Sequence, residues 1–221
     1  MSGPGELPMP REKLANYASV RGAEAYKHDH RSKLHRRLSD RWERRILERF
    51  FGELSPCGCI LDLPCGAGRL FTLLRSYADS VIEADWSPAM LELNKRDHDN
   101  AAESYLRCSA LEIPLSDRRV DVAVSVRLSH HFDSPAHREQ HLSELFRVAD
   151  RAVIVTWFSR GSLKNWLRRW RAPFNRKRPK NTMAGRDVAA IARSSRFEPL
   201  RMLPLSRLGS GHVFGLFRRS G

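Results

Sequence analysis

No run of about 18 apolar residues occurs in this chain, so nothing in it reads as a membrane-spanning helix. Residues 1–10 carry Pro4, Pro8 and Pro10 with two glycines, lack the apolar core of a signal peptide, and read as a flexible tail. Cysteine is scarce: Cys57, Cys59, Cys65 and Cys108 include no C-x-x-C pair. A zinc site needs paired spacing with partners elsewhere, so reduced, packed thiols in a cytosolic protein are the better reading, and no metal is expected. Acid is short as well: 25 Asp and Glu face 39 Lys and Arg, a net charge of +14. That excess implies an anionic partner (phosphate, nucleic acid or acidic lipid) and says nothing of fold. A third glycine is also missing. Gly66 and Gly68 are followed by Phe71 where the nicotinamide fingerprint G-x-G-x-x-G needs one, and 221 residues leave little room for a further substrate domain. A nicotinamide oxidoreductase is therefore disfavoured.

What is present is a strand, a tight glycine turn and a helix in that order. Cys59 to Leu63 is a short apolar run carrying Asp62 and broken by Pro64. Gly66-Ala67-Gly68 follows, and then Leu70, Phe71, Leu73, Leu74 and Tyr77 recur at helical spacing. In parallel sheets this arrangement builds a ligand crevice at the carboxyl end of the strand. Asp85 ends the next β-like run, nineteen residues after Gly66, where an acid can accept from both ribose hydroxyls. A helix-capping role beside Ser87 is its plainer alternative. Together, turn and acid point to a nucleoside-like cofactor.

The rest of the chain alternates in the same way. Residues 33–51 form an amphipathic helix with a basic outer face, with Gly52 as its stop. Strands are expected at 81–85, 105–108, 120–126, 152–157, 198–203 and 212–218. Ser87-Pro88 and Ser134-Pro135 cap two of the helices between them. The expectation is a doubly wound, mostly parallel, seven-stranded α/β sheet with an N-terminal helical extension. The boundaries are a tail at 1–10, the extension at 11–52, and one domain at 53–221 that contains a basic insert at 160–180.

Four segments in this order resemble the class I S-adenosylmethionine-dependent methyltransferases, of the methyltransferase-11 or ubiquinone/menaquinone C-methyltransferase-like type. They are Leu61-Asp-Leu-Pro-Cys-Gly-Ala-Gly68, Val81-Ile-Glu-Ala-Asp-Trp-Ser-Pro-Ala-Met90, Cys108-Ser-Ala-Leu-Glu-Ile-Pro-Leu115 and Val120-Asp-Val-Ala-Val-Ser-Val-Arg-Leu-Ser-His-His-Phe132. The resemblance implies a Rossmann-like methyltransferase fold and S-adenosyl-L-methionine as cofactor. It further implies that Gly66, Ala67 and Gly68 pass under the methionine part, with Asp62 beneath the turn. Asp85 would hold the ribose, Trp86 the adenine face, Ser109 and Ala110 the adenine edge, and Val126 and Arg127 would border the methyl-donor cleft. Two positions depart from the family pattern: Pro64 replaces its usual first glycine, and Ser109 stands where aspartate is common.

His130 and His131 follow the fourth strand on the cleft side, and an imidazole suits proton transfer from an acceptor. Packing near Asp133 is the alternative. Arg127 reads as an anion contact or ion-pair partner, since guanidinium does not act as a base. Arg160 to Lys180 holds nine Lys and Arg with no acid, and Leu163, Trp166, Leu167, Trp170 and Phe174 recur within it at helical spacing. A lid over an acidic or lipid-like substrate, an RNA-contacting patch and a plain solvated helix all fit that segment. The expected activity is methyl transfer by in-line displacement to a small-molecule or lipid-linked acceptor. The location would be cytoplasmic, with peripheral contact at the inner membrane face. The alternative is a non-catalytic cofactor-binding or basic scaffold on RNA or an anionic membrane.

Overall fold

Seven strands form a single sheet in the computed structural model, which describes Gly22, Glu24 and residues 34–161, 181–206 and 210–221. In chain order the elements are α1 (Leu34–Leu54), β1 (Cys57–Asp62), α2 (Phe71–Arg75), β2 (Ala78–Asp85), α3 (Pro88–Asp97) and β3 (Ser104–Arg107). They continue with β4 (Val120–Ser125), α4 (Pro135–Val148), β5 (Ala149–Phe158), α5 (Gly185–Ser194), β6 (Phe197–Pro204) and β7 (His212–Arg219). The strand order is β3-β2-β1-β4-β5-β7-β6. β1 to β5 pair in parallel, and β7 runs antiparallel to both its neighbours. This is the doubly wound, mostly parallel, seven-stranded sheet that the pattern of apolar runs predicts.

Helices cover both faces, which is why the central strands are apolar at consecutive positions rather than alternate ones. Ile60, Val122, Val124 and Ile154 pack with Leu47, Phe50 and Phe51 of α1 and with Phe71 and Leu74 of α2 on one face. Leu61, Ala123, Val153 and Val155 pack with Leu142, Leu145 and Phe146 of α4 and with Val188 and Ala192 of α5 on the other. The sheet therefore divides the interior into two cores. The two Ser-Pro starts behave as expected: Ser87 Oγ accepts from Met90 N at 3.2 Å and Ser134 Oγ from Ala136 N at 3.2 Å.

One expectation about α1 needs correction. It does not stop at Gly52 but continues to Leu54, because Phe51 and Leu54 both bury into the core and a side chain at 52 would meet only open space. Its outer face is basic, with Arg37, Arg41, Arg45 and Arg49 exposed beside Leu38 and Trp42, while Glu43 is wholly buried. The basic insert expected at 160–180, with Trp166 and Trp170, lies outside the described residues apart from Arg160 and Gly161. So do the tail at 1–10 and most of 11–33. No helix among the described residues is long and apolar enough to cross a membrane.

Candidate active site

Strand order reverses between β1 and β4, and a doubly wound sheet opens a crevice at the carboxyl ends of the strands there. The crevice is present: a cavity of about 1020 Å³ bordered by the glycine turn, the end of β2, the segment after β4 and one side of α1. Gly66 and Gly68 have φ of +55° and +72°, a conformation that a side chain disfavours. At Gly68 a methyl group would also strike the Asn94 side chain and come within 2.7 Å of His98 Cδ2. The turn thus offers bare backbone to the cavity for a steric reason.

Beneath it lie acids. Asp85 is 8% exposed, and its carboxylate accepts from Gly66 N at 2.9 Å and from Ser87 N at 2.8 Å. Burial raises its pKa, and those backbone hydrogen bonds oppose the rise. Ser87, not Asp85, caps α3, so the capping alternative for Asp85 is reduced to one bond that steadies the turn. Asp62 is 1% exposed and lines the cavity, and neither carboxylate oxygen has a hydrogen-bond partner among the described residues. Burial, with the charge of Glu83 next, pushes its pKa well above the usual carboxylate range. Glu83, fully buried on β2, accepts from Asn94 Nδ2, and burial lifts it to about 7. The Cys65 thiol is likewise pushed up by burial. All four cysteines are free, and no cluster of metal-binding side chains occurs among the described residues.

Of the sequence-predicted residues, Asp62, Gly66, Ala67, Gly68, Asp85, Trp86, Val126, Arg127 and His131 all border this one cavity. Ser109, Ala110 and His130 are not among its lining. Ser109 Oγ accepts from Leu111 N at 3.1 Å, and the Ala110 carbonyl accepts from His141 Nδ1 at 3.1 Å. The His130 ring stands 4.1 Å from that of His131 and 4.6 Å from that of Phe158, centroid to centroid, set behind His131. Asn181 Nδ2 bonds the His130 carbonyl and Asp133 Oδ1 (3.3 and 3.0 Å).

Arg127 is an ion-pair partner. Its Nε donates to Glu43 Oε1 at 2.7 Å, and its own backbone N–H is received by Thr156 Oγ1 at 2.7 Å. Arg69, directly after the glycine turn, pairs with Asp40 and reaches Glu43 Oε2 at 3.1 Å. Two strand-end loops are thereby bound to α1. Sequence reading missed Glu43, Arg69, Glu83 and Asn94. A signal existed for the first: Glu43 precedes Leu47, Phe50 and Leu54 by four, seven and eleven residues and so falls on the buried stripe of α1.

A methyltransferase-domain family model (Methyltransf_11) matches residues 61–155. An uncharacterized methyltransferase of Mycobacterium tuberculosis is 32% identical over 109 residues, which is 49% of this chain and 43% of that one. The chain spans between 25% and 43% of the length of the curated relatives it matches. Among solved structures, the magnesium protoporphyrin IX methyltransferase of Synechocystis with bound S-adenosylhomocysteine superposes with a TM-score of 0.76. It is 13% identical, with 96% of this chain and all of that one covered. The 1,6-didemethyltoxoflavin-N1-methyltransferase of Burkholderia thailandensis, holding its substrate and S-adenosylhomocysteine, has a TM-score of 0.63. It is 18% identical, with 100% of this chain and 94% of that one covered. Residues 61–155 thus match a methyltransferase-domain model, and the fold of the chain is that of S-adenosylmethionine-dependent methyltransferases of known structure.

Proposed function

We propose that the protein transfers a methyl group from S-adenosylmethionine to a small-molecule or lipid-linked acceptor, bound where the cleft opens between β4 and α1. The single observation that carries this is the cavity at the strand switch point. It combines a bare glycine turn, the buried and unpartnered Asp62, and Asp85 on the next strand. The residues present fit the cofactor. Asp62 lacks the donor that an ammonium group provides, Gly66 to Gly68 leave room for the methionine part, and Asp85 and Trp86 suit the ribose and adenine. When bound, S-adenosylmethionine supplies an activated sulfonium methyl.

The chain's own part is placement. Val126 and Arg127 form the wall on the acceptor side, and the Glu43 pair holds Arg127 away from the reacting centre. His131, which lines the cavity, can take the proton of a neutral hydroxyl or amine on an imidazole nitrogen, and His130 packs behind its ring. Orientation of this kind can account for several kcal/mol of a barrier. The small-molecule reading draws support from the size of the cavity, about 1020 Å³, and from neighbours whose names specify protoporphyrin and toxoflavin methylation.

Calorimetry with S-adenosylmethionine and S-adenosylhomocysteine tests the cofactor reading. Binding should be seen below millimolar concentration, and Asp85→Ala should weaken it at least about tenfold through two lost charge-assisted hydrogen bonds. Equal affinity in that variant refutes the assignment of Asp85. Radiolabelled methyl transfer to fractionated extract identifies the acceptor. His131→Gln should then lower kcat by about 100-fold or more with cofactor affinity retained.

A further inference from the structure

We propose that Arg37 and Arg41, one helical turn apart on α1, form a subsite for the anionic group, carboxylate or phosphate, of a small acceptor. This rests on the reading of the cleft as the cofactor and acceptor site, and it narrows the acceptor's chemical class.

Five arginines line the cavity: Arg37, Arg41, Arg44, Arg69 and Arg127. Three are already ion-paired. Asp40 pairs with Arg44 and Arg69, and Glu43 pairs with Arg69 and Arg127. Arg37 and Arg41 are exposed on the same rim and have no ion pair or hydrogen bond among the described residues. The acids of the cavity are committed elsewhere. Asp40 is held by two arginines, Asp85 by two backbone N–H groups, Asp97 lies 3.9 Å from Arg96, and Asp62 sits buried at the floor.

Side chains at i and i+4 on a helix start about 5–6 Å apart at Cβ, a span over which two guanidinium groups can grip one carboxylate or phosphate. Planar, always-charged guanidinium suits that task better than a lysine ammonium would. The cofactor itself carries a sulfonium and an ammonium against one carboxylate, so it is a net cation. Its single carboxylate is the one competing anion, and saturating the cleft with S-adenosylhomocysteine accounts for it. The remaining positive charge of the rim is left for the second ligand.

The test uses the full chain saturated with S-adenosylhomocysteine and titrated by calorimetry with phenyl phosphate and, separately, with benzoate. One probe or both should bind one to one. The double variant R37Q/R41Q should weaken that binding by about tenfold or more, consistent with two lost charge-assisted contacts. Affinity for S-adenosylhomocysteine should stay within about threefold, which also shows the variant folded. The control R45Q/R49Q removes the same charge from the same helix, outside the cavity, and should leave probe binding unchanged. Equal weakening in the control means general attraction by a basic chain and overturns the subsite. Loss of S-adenosylhomocysteine binding in R37Q/R41Q assigns the arginines to the cofactor's carboxylate and also overturns it. Failure of both probes to bind wild-type protein overturns it too, including where phosphatidylglycerol vesicles bind in their place. If wild-type protein does not take S-adenosylhomocysteine at all, the cofactor reading falls first and this proposal with it.

Discussion

Replacing Glu43 by glutamine should destabilise the protein by about 2–3 kcal/mol, well beyond what a surface ion pair gives. Glu43 is wholly buried, while the Arg127 and Arg69 side chains that flank it keep 24% and 26% of their exposure. At roughly 3 Å and an effective dielectric near 20, each pair carries a gross attraction of about 5 kcal/mol. Complete removal of one member of a fully buried pair typically loses about 3–5 kcal/mol. Two features reduce that here. The arginines can rehydrate at their exposed edges, and a glutamine carbonyl still accepts from Arg127, at roughly half the strength of a carboxylate. For a chain of this size about 2–3 kcal/mol corresponds to a melting temperature lower by roughly 4–12 °C. The measurement is thermal unfolding of wild type and Glu43→Gln at low salt and at 0.5 M salt. A buried pair is screened little, so most of the difference should persist. A shift below about 1 °C, or one that vanishes in salt, refutes the claim that Glu43 clamps α1 to the two loops.

The other tests address the turn and the pH dependence. Gly68→Ala places a methyl against Asn94 and His98 at a φ of +72°, and should weaken S-adenosylhomocysteine binding at least about tenfold by calorimetry, since backbone strain and displacement fall on the turn itself. Wild-type affinity would show that the turn is not in contact with ligand. His141 is fully buried between Ser125 Oγ and the Ala110 carbonyl, and burial lowers its pKa from 6.5 to about 4. Folding thus favours the neutral ring, so this contribution is complete above pH 6.5 and lost as pH falls toward 4, a total of about 3 kcal/mol. The stability gap between wild type and His141→Gln, by urea unfolding, should narrow over that range; a constant gap refutes it. Glu83 works in the opposite sense. Its raised pKa stabilises the folded state at low pH and loses effect as pH climbs toward 7, so the variant comparison is needed to isolate His141.

The sheet was legible because its signals are local. The β-branched run Val120–Val126 and the capped starts at Ser87 and Ser134 each declare one element without reference to any other. The glycine turn and Asp85 were legible for the same reason: each ends a strand, and strand ends of a parallel sheet converge. What could not be read is pairing across distance. Glu43 meets Arg127 across 84 residues, and nothing local marks which of many arginines it takes. Ser109 and Ala110 show the limit from the other side. Their place at the adenine edge was implied by the family resemblance alone, and in the structure they lie in the 109–112 turn and against His141 rather than in the cavity lining. The Gly52 stop failed because a weak local signal met a strong tertiary one, the burial of Phe51 and Leu54.

These placements sort charge in a way that the overall +14 conceals. Among the described residues nearly every cation keeps some exposure to solvent. Among the described residues the buried carboxyl groups are Glu43, Asp62, Glu83 and Asp85, and Arg138 is the one buried cation besides them. Three of the four acids lie at or under the floor of the cleft, and the fourth holds the arginines at its rim. Once the floor acids are ionised, the potential runs from acidic below to basic above across a single cavity. Such a gradient has a physical use for an enzyme with two unlike ligands. A cationic cofactor is stabilised at the floor, where low dielectric makes each acid effective, while the rim favours an anion and repels a second cofactor. It also explains why the acids can be so deeply buried in apolar surroundings without ion-pair partners of their own. Asp62 and Glu83 keep a proton readily, and a ligand ammonium can supply the charge that permits them to release it.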